Sequence, residues 1–256
     1  MQATALEYRH RYLVHGLIYT LGFLAPWTVL LPPPYRASMW SFVQNNSSWF
    51  LIANALSKPL YLYFATYWNA VLVVMILFGA VGAGLRTWGA AYLGASTVQR
   101  GGMVSDRMVA DGPYRYVRNP LYLGTLIHSV ALAFLMRPDA AVVVMVLLTI
   151  VQLRLIGREE PYLQERQGDV YRDYLARVPR LLPSLRPRTA AGTNRADWKQ
   201  GILSEIYGLG TVLTMLTVGW SRGFGWENSV LRVMQGIVIS LGVSVVARAF
   251  IPKATY

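Results

Sequence analysis

Long apolar runs alternate with polar blocks along this 256-residue chain. Six apolar segments stand out: 13–31, 60–85, 120–136, 140–153, 202–220 and 230–247. A helix needs about 20 apolar residues to cross a bilayer, and the third and fourth segments are shorter than that. They are joined by Arg137-Pro138-Asp139, which predicts a hairpin turn. The pattern predicts an all-α fold, a polytopic transmembrane helix bundle of about six spans.

Composition supports a membrane protein. Hydrophobic residues make up 54% of the chain and charged residues 14%, against about 25% charged residues in soluble proteins. The first apolar segment is too long for the core of a signal peptide and no small-residue cleavage site follows it, so we expect a retained first helix.

The distribution of Lys and Arg predicts the topology. Two of them precede the first apolar segment, five lie in 86–118, ten in 154–199 and two after the last segment, whereas the intervening loops hold only Arg36, Lys58, Arg137 and Arg222. Basic residues concentrate on the cytoplasmic side of membrane proteins. Both termini are therefore predicted to be cytoplasmic. The net charge of +12 then reflects basic loops facing anionic lipids, and no nucleic-acid partner is expected.

The residue types present narrow the chemistry. The chain has no cysteine, which excludes disulfides and thiolate chemistry, and its three histidines have no metal-ligand spacing. We therefore expect no metal site. His128 lies inside the third apolar segment, where a neutral histidine bonded to a neighbouring helix is the expected arrangement.

Three regions are predicted. Residues 1–59 form a transmembrane helix and an external loop with room for an interfacial helix, and residues 60–187 form a core. Residues 188–256 comprise a linker and two additional transmembrane helices; the stretch with linker-like composition is 186–197. Gly79, Gly82 and Gly84 are expected to allow close helix packing in the core.

Two polar blocks, 111–124 and 158–183, flank the predicted hairpin on the cytoplasmic side. In the first, Gly112-Pro113 predicts a tight turn, and Arg115 and Arg118 precede a helix that begins at Pro120, which is a natural anion site. In the second, Glu159 and Glu160 precede an amphipathic helix that reaches Pro179. Guanidinium groups and carboxylates together suit a zwitterionic, ribose-bearing cofactor.

The sequence GPYRYVRNPLYLG at 112–124, followed by EEPYL and GDVYRDYLARVPRLLP, resembles the isoprenylcysteine carboxyl methyltransferase and phospholipid methyltransferase superfamily of integral membrane enzymes. LRTWGAAYLG at 85–94 is similar to the segment that precedes the core motif there. The resemblance covers roughly residues 70–185. It implies S-adenosylmethionine as cofactor, bound at the cytoplasmic helix ends, and a lipophilic acceptor that enters from the bilayer.

Residue by residue, the resemblance implies a cofactor site on both blocks. The first block matches the family's Arg-His-Pro-x-Tyr-x-Gly motif and its lead-in, and the second matches its paired glutamates and closing Tyr-x-x-Tyr segment. The predicted cofactor-binding residues are Gly112, Tyr114, Arg115, Arg118, Asn119, Pro120, Tyr122, Gly124, Glu159, Glu160, Tyr171 and Tyr174.

Two features depart from the family pattern. Asn119 stands where the family has histidine, and an asparagine cannot act as a base. The two helices after residue 200 lie beyond the family core, and either shaping of an acceptor pocket or oligomerisation would account for them. The oligomeric state is left open.

Because the motif lacks a histidine base, the sequence favours an acceptor that is already ionised, such as an isoprenoid or lipid carboxylate undergoing O-methylation. Arg154, Arg158 and Glu159 are the predicted catalytic residues, with either arginine orienting the carboxylate. Methylation of a phospholipid amine or a thiol is the alternative. Two other classes stay open: an NADPH-dependent membrane sterol-type reductase, which shares a related motif, and a transporter.

Overall fold

The computed structural model describes residues 2–29, 46–60, 63–99, 110–220, 226–247 and 249. Within these ranges every regular element is helical, which confirms the all-α prediction. The α-helices are α1 Ala5–Arg9, α2 Arg11–Val29, α3 Ser48–Leu60, α4 Phe64–Leu93, α5 Ala95–Gln99, α6 Pro120–Ala133, α7 Pro138–Arg177, α8 Trp198–Ser204, α9 Ile206–Val218 and α10 Trp226–Ala247. A 3-10 helix covers Gly112–Arg115.

The described helices only partly support the predicted number of spans. Three of them are long and apolar enough to cross a membrane, namely α4, α7 and residues 228–247 of α10. The pair α8 and α9, bent by 73° at its break, would make a fourth span. Helix α6 has only 14 residues, so the count of about six is not confirmed. The predicted end of α2 at Pro32–Pro34 and the loop 35–45 lie outside the described residues.

The longest helical segment contains the predicted second helix, but with a later start. We expected a separate amphipathic helix after the apolar segment 140–153, and α7 consists of two helices joined by a kink, of which the second begins only after Gly168. The backbone of Gly168 is the one non-helical point inside α7, with φ 62° and ψ −137°. Glycine adopts such a positive φ without the steric penalty that a Cβ imposes. The kink lets the last turns of α7 fold over the end of the bundle that carries residues 110–120, called the motif end below.

Close packing of α4 against α6 depends on two glycines. A Cβ on Gly82 would lie 2.5 Å from the backbone nitrogen of His128, and one on Gly124 would lie 2.8 Å from the carbonyl oxygen of Gly82. The predicted packing role holds for Gly82, and also for Gly79, whose Cβ would touch Val212. It is wrong for Gly84, where a Cβ would meet nothing within 4 Å.

The opposite end of the bundle is held by aromatic packing. Trp49 of α3 stacks on Trp68 of α4 with ring centroids 4.0 Å apart, and both are fully buried. The backbone nitrogens of Ser48 and Trp49 donate to the carbonyls of Met136 and Phe134. Helix α3 therefore covers the turn between α6 and α7, far from the polar blocks.

The C-terminal helices pack along the core. A Cβ on Gly201 of α8 would lie 2.7 Å from the carbonyl oxygen of Thr87, and one on Gly219, just after α9, would lie 2.7 Å from Leu72. Helices α8 and α9 thus follow α4 from the motif end to the other end. Helix α10 packs against α9 through Gly236, whose Cβ would contact Thr214.

Candidate active site

One cavity of about 710 Å³ runs from the motif end into the bundle. Its motif end is lined by charged and aromatic side chains, among them Arg118, Glu159 and Tyr171, and its inner part by apolar ones such as Phe23 and Leu241. Ligand pockets in proteins usually measure about 300–1,000 Å³. The cavity is therefore large enough for a small-molecule site with one polar and one apolar compartment.

The turn at Gly112 sets the first block against the cavity. Gly112 has φ 58°, and a Cβ there would lie 2.3 Å from the ring of Tyr92, so both conformation and space require glycine. The following 3-10 turn buries Tyr114, which lines the cavity. The hydroxyl of Tyr174 donates to the carbonyl of Tyr114 over 2.8 Å. This contact joins the two polar blocks.

A charged network at Glu160 joins the two blocks a second time. The carboxylate of Glu160 accepts from Nε and Nη2 of Arg180, at 3.0 and 2.6 Å, and from Nδ2 of Asn119 at 3.3 Å. Asn119 also donates to the carbonyl of Arg180. Arg118 Nε lies 3.2 Å from the Glu160 carboxylate, but its N–H is not directed at an acceptor. We therefore treat this contact as an ion pair without a hydrogen bond.

Arg118 is oriented by the backbone of the second block. Its Nη1 donates to the carbonyl of Leu175 over 2.7 Å, and its own backbone nitrogen donates to Pro179. The side chain lines the cavity. A buried guanidinium with an unused N–H donor is suited to bind an anionic group of a ligand.

Glu159 faces the cavity beside two phenols. The hydroxyl of Tyr122 donates to Glu159 Oε1 over 2.8 Å, and the hydroxyl of Tyr8 donates to the same oxygen. Burial and the neighbouring Glu159 carboxylate raise the pKa of the Tyr8 phenol, so Tyr8 remains a donor. Because both bonds go to Oε1, the second carboxylate oxygen is available for an ammonium or hydroxyl group.

The wall beside Glu159 is aromatic. Tyr171 and Tyr174, whose ring centroids are 5.7 Å apart, line the cavity after the kink in α7. Tyr114 completes this wall, and burial raises the pKa of its phenol. Aromatic faces attract cations and stack on planar rings.

The two predicted catalytic arginines lie elsewhere. Arg154 Nη2 binds both carboxylate oxygens of Glu7, at 3.0 and 2.8 Å, and Arg158 Nη1 donates to the carbonyl of Ala3 over 2.9 Å. Neither arginine is among the residues that line the cavity. Their observed contacts anchor the N-terminal segment, so their positions give no support to the predicted orientation of an acceptor carboxylate.

Four predicted cofactor residues also stand behind the cavity wall. Arg115 donates to the carbonyl of Thr189, and Gly112 and Gly124 act through backbone packing. Glu160 is reached only through its partners Arg118 and Asn119. The remaining predicted residues all line the cavity, namely Tyr114, Arg118, Asn119, Pro120, Tyr122, Glu159, Tyr171 and Tyr174.

The predicted linker is docked on the first block. The backbone nitrogens of Gly192 and Asn194 donate to the carboxylate of Asp111, and the nitrogen of Arg188 donates to the carbonyl of Arg115. Residues 186–194 therefore cover the turn at Gly112, and Asp111 is buried in that contact.

Sequence reasoning gave no role to several polar residues of the cavity. Arg86 binds Glu205 through Nε and Nη2, at 2.6 and 2.8 Å, and Thr125 through Nη1 at 2.6 Å. Arg11 and Tyr8 reach the cavity from the N-terminal segment. Arg86 lies in the segment 85–94 that resembles the family, and this resemblance was the sequence feature that could have indicated a role for Arg86. No local pattern marks Glu205, which sits at the break between α8 and α9 and brings a carboxylate from outside the predicted core.

Residues 68–169 match the family model described as phospholipid methyltransferase. Comparisons with curated proteins and with solved structures each gave no match. The matched segment contains both motif blocks up to the kink at Gly168. The match indicates a membrane methyltransferase that acts on a lipid-type substrate, and methyltransferases of this family generally use S-adenosylmethionine. Residues 68–169 are thus similar to the phospholipid methyltransferase family, which supports over that segment the resemblance to the isoprenylcysteine carboxyl and phospholipid methyltransferase superfamily predicted from the sequence.

Proposed function

We propose that this protein transfers a methyl group from S-adenosylmethionine to a lipophilic acceptor inside the cavity. The observation that carries the proposal is the division of the cavity. Charged and aromatic residues of both motif blocks line one part, whereas α2 and α10 line the other part with Phe23, Leu24, Ile237 and Leu241. A polar cofactor and an apolar acceptor can then meet within one space.

The polar part fits the chemistry of S-adenosylmethionine. Its carboxylate would be held by Arg118, which keeps an unused buried N–H donor. Its ammonium or ribose hydroxyls would be held by Glu159. Tyr171, Tyr174 and Tyr114 offer aromatic faces for the adenine ring and for the positive charge of the sulfonium.

When bound, S-adenosylmethionine supplies an electrophilic methyl carbon, whose bond to sulfur breaks with its electron pair remaining on sulfur as the acceptor atom forms a new bond to that carbon. The residues of the chain position the reactants for this displacement, and such positioning accelerates reactions strongly. Arg118 and Glu159 fix the polar end, and the tyrosines and the docked segment 186–194 exclude water.

The acceptor would lie between α2 and α10. Helix α10 has exposed Val238 and Ile239 on its outer surface, and Ile237, Val238 and Leu241 line the cavity. A lipid chain could therefore extend from the cavity toward the bilayer. The C-terminal helices would accordingly shape the acceptor pocket, which was one of the two roles considered from the sequence.

Mass spectrometry of lipids tests this function. Purified protein in lipid nanodiscs is incubated with total lipid extract and S-adenosylmethionine carrying a deuterated methyl group. We expect a lipid whose mass rises by one labelled methyl, and a loss of about 10- to 100-fold in rate for Glu159→Gln, because a charge-assisted contact is removed.

The control for this experiment is Glu165→Gln, an exposed glutamate on the same helix, which should keep the rate of the unaltered protein. Absence of labelled lipid with the unaltered protein would contradict the proposal. Equal rates for the two glutamine variants would remove Glu159 from the site.

A further inference from the structure

Two buried polar atoms of cavity-lining residues have no hydrogen-bond partner among the residues that the structure describes. They are Nε2 of His128 and Oε1 of Gln152. Both side chains line the cavity, and their residues are 5% and 1% exposed. Buried polar groups are almost always hydrogen-bonded, so two such atoms in residues that line the same cavity require an explanation.

The hydrogen-bond partner of His128 determines the role of its free nitrogen. Nδ1 of His128 lies 3.2 Å from the carbonyl oxygen of Gly79. A carbonyl can only accept, so Nδ1 carries the hydrogen. In a neutral imidazole the other nitrogen is then an acceptor. Nε2 of His128 can therefore accept a hydrogen bond from a donor.

The same argument applies to Gln152 through a neighbouring histidine. Nδ1 of His15 donates to the carbonyl of Arg11, which leaves Nε2 of His15 as an acceptor. Nε2 of Gln152 lies 3.1 Å from that nitrogen and donates to it. The amide oxygen of Gln152 is consequently the unpaired atom, and it too can only accept.

The two acceptors lie at a similar depth. Tyr122 of α6 and Glu159 of α7 are hydrogen-bonded to each other and so mark one level. His128 follows Tyr122 by six residues and Gln152 precedes Glu159 by seven, which places them roughly 9 and 10 Å further into the bundle at 1.5 Å per helical residue. Both lie between the polar part of the cavity and its apolar lining.

We propose that His128 Nε2 and Gln152 Oε1 bind the head group of the methyl acceptor, and that this head group carries an N–H or O–H donor. This assignment rests on the proposed function and deepens it. A carboxylate has no hydrogen-bond donor and would face two hydrogen-bond acceptors. In place of the carboxylate favoured from the sequence, we therefore propose a methyl acceptor whose head group carries an N–H or O–H group. The two residues act as specificity determinants, because an acceptor without a donor leaves both atoms unpaired.

Nitrogen NMR of the histidines tests the contact directly. The chain has only three histidines, so protein labelled with ¹⁵N-histidine gives few resonances, and His128→Phe identifies those of His128. The probes are 1-dodecanol, dodecylamine and dodecanoate, which share one chain length. We expect the alcohol and the amine to shift the His128 Nε2 resonance, and dodecanoate to leave it in place.

Binding of the same probes to variants gives the energetic test. In His128→Phe and in Gln152→Met, the dissociation constant of dodecanol should rise about 5- to 20-fold. The matched control is Tyr67→Phe, which removes a hydroxyl that is also buried and unpaired but does not line the cavity. This control should bind dodecanol as the unaltered protein does. Gln152→Met keeps the test informative if His128→Phe does not fold.

Two outcomes would overturn the assignment: a His128 Nε2 shift with dodecanoate equal to that with dodecanol, or no shift with any probe. A parallel titration with S-adenosylhomocysteine separates this inference from the proposed function. If the cofactor product fails to bind while dodecanol still shifts His128, the proposed function fails and the protic-ligand site stands.

Discussion

Two buried glutamate–arginine clusters flank the cavity, and they differ in how completely they are paired. At the motif end, Glu160 binds Arg180 and Asn119, while Arg118 keeps a donor unused. Deeper in the bundle, Arg86 is engaged by Glu205, Thr125 and Leu121 through Nε, Nη1 and Nη2. The first cluster can still bind a ligand, whereas the second has its charge neutralised within the chain.

The two clusters separate ligand binding from helix assembly. Arg86 and Glu205 are separated by 119 positions, and their contact ties α4 of the family-matched core to the junction of α8 and α9. An ion pair that uses its donors internally holds helices together. Arg118, a cavity-lining arginine whose Nε donates to none of the described residues, keeps capacity for a ligand. The same residue types therefore serve two purposes.

The largest effect is expected from breaking the closed pair. Glu205→Leu leaves Arg86 as an unpaired buried charge, and loss of one partner of a buried pair destabilises a protein by about 3–5 kcal/mol. Thermal unfolding in detergent should show a large decrease in Tm. The double variant Arg86→Met with Glu205→Leu should recover much of it, because no lone charge remains. If the Glu205→Leu protein were as stable as the unaltered one, the ion pair of Arg86 with Glu205 would not hold the helices together.

A smaller effect is expected from moving Arg86 without removing it. A Cβ on Gly124 would lie 2.6 Å from Cγ of Arg86 and 2.8 Å from the carbonyl of Gly82. Gly124→Ala should cost about 1–3 kcal/mol through overpacking, measured as a lower unfolding temperature. Gly84→Ala is the matched control, since a Cβ there would have no atom of the described residues within 4 Å. Equal effects of the two substitutions would show that the α4–α6 contact is looser than described.

The smallest effect concerns the pair of Glu7 with Arg154, which is exposed by comparison. The hydrogen bond from Arg154 lowers the pKa of the Glu7 carboxyl. A depressed pKa means that the contact stabilises the folded state above the unfolded pKa of about 4.5 and is lost as the pH falls through the folded value. The protection factors of the amides of residues 3–9, which are corrected for the intrinsic pH dependence of hydrogen exchange, should fall on acidification into that range.

Glu7→Gln should abolish this acid dependence while leaving Tm nearly unchanged, because surface ion pairs contribute little. Protection factors that do not change with pH in the unaltered protein would show that other contacts, such as that of Arg158 with Ala3, hold the segment alone.

Much of the motif end was predictable because its residues are close in sequence and in a recognisable order. The turn at Gly112, the helix start at Pro120 and the cavity position of Arg118, Asn119 and Glu159 follow from such local patterns. The contacts of Tyr8 and of Glu205 were not predictable, since each joins segments more than 100 positions apart.

The helical periodicity of α7 explains why Arg154 and Arg158 do not line the cavity. At about 100° per helical residue, Gln152 and Glu159 fall about 20° apart on one face of α7, whereas Arg154 lies roughly 140–160° and Arg158 roughly 100–120° away from them. Proximity in sequence to Glu159 suggested a shared site, but the helix directs the arginines toward the N-terminal segment. The angle between side chains decides such cases.

We propose that the open cluster at the motif end binds S-adenosylmethionine, and titration calorimetry with S-adenosylhomocysteine tests this binding without the need to know the acceptor. We expect the unaltered protein to bind, Arg118→Ala to lose affinity by about 100-fold or more, and Arg172→Ala, an exposed arginine on the same helix as Glu159, to bind normally. No binding by the unaltered protein at millimolar ligand, or equal binding by the Arg118→Ala variant, would contradict the account.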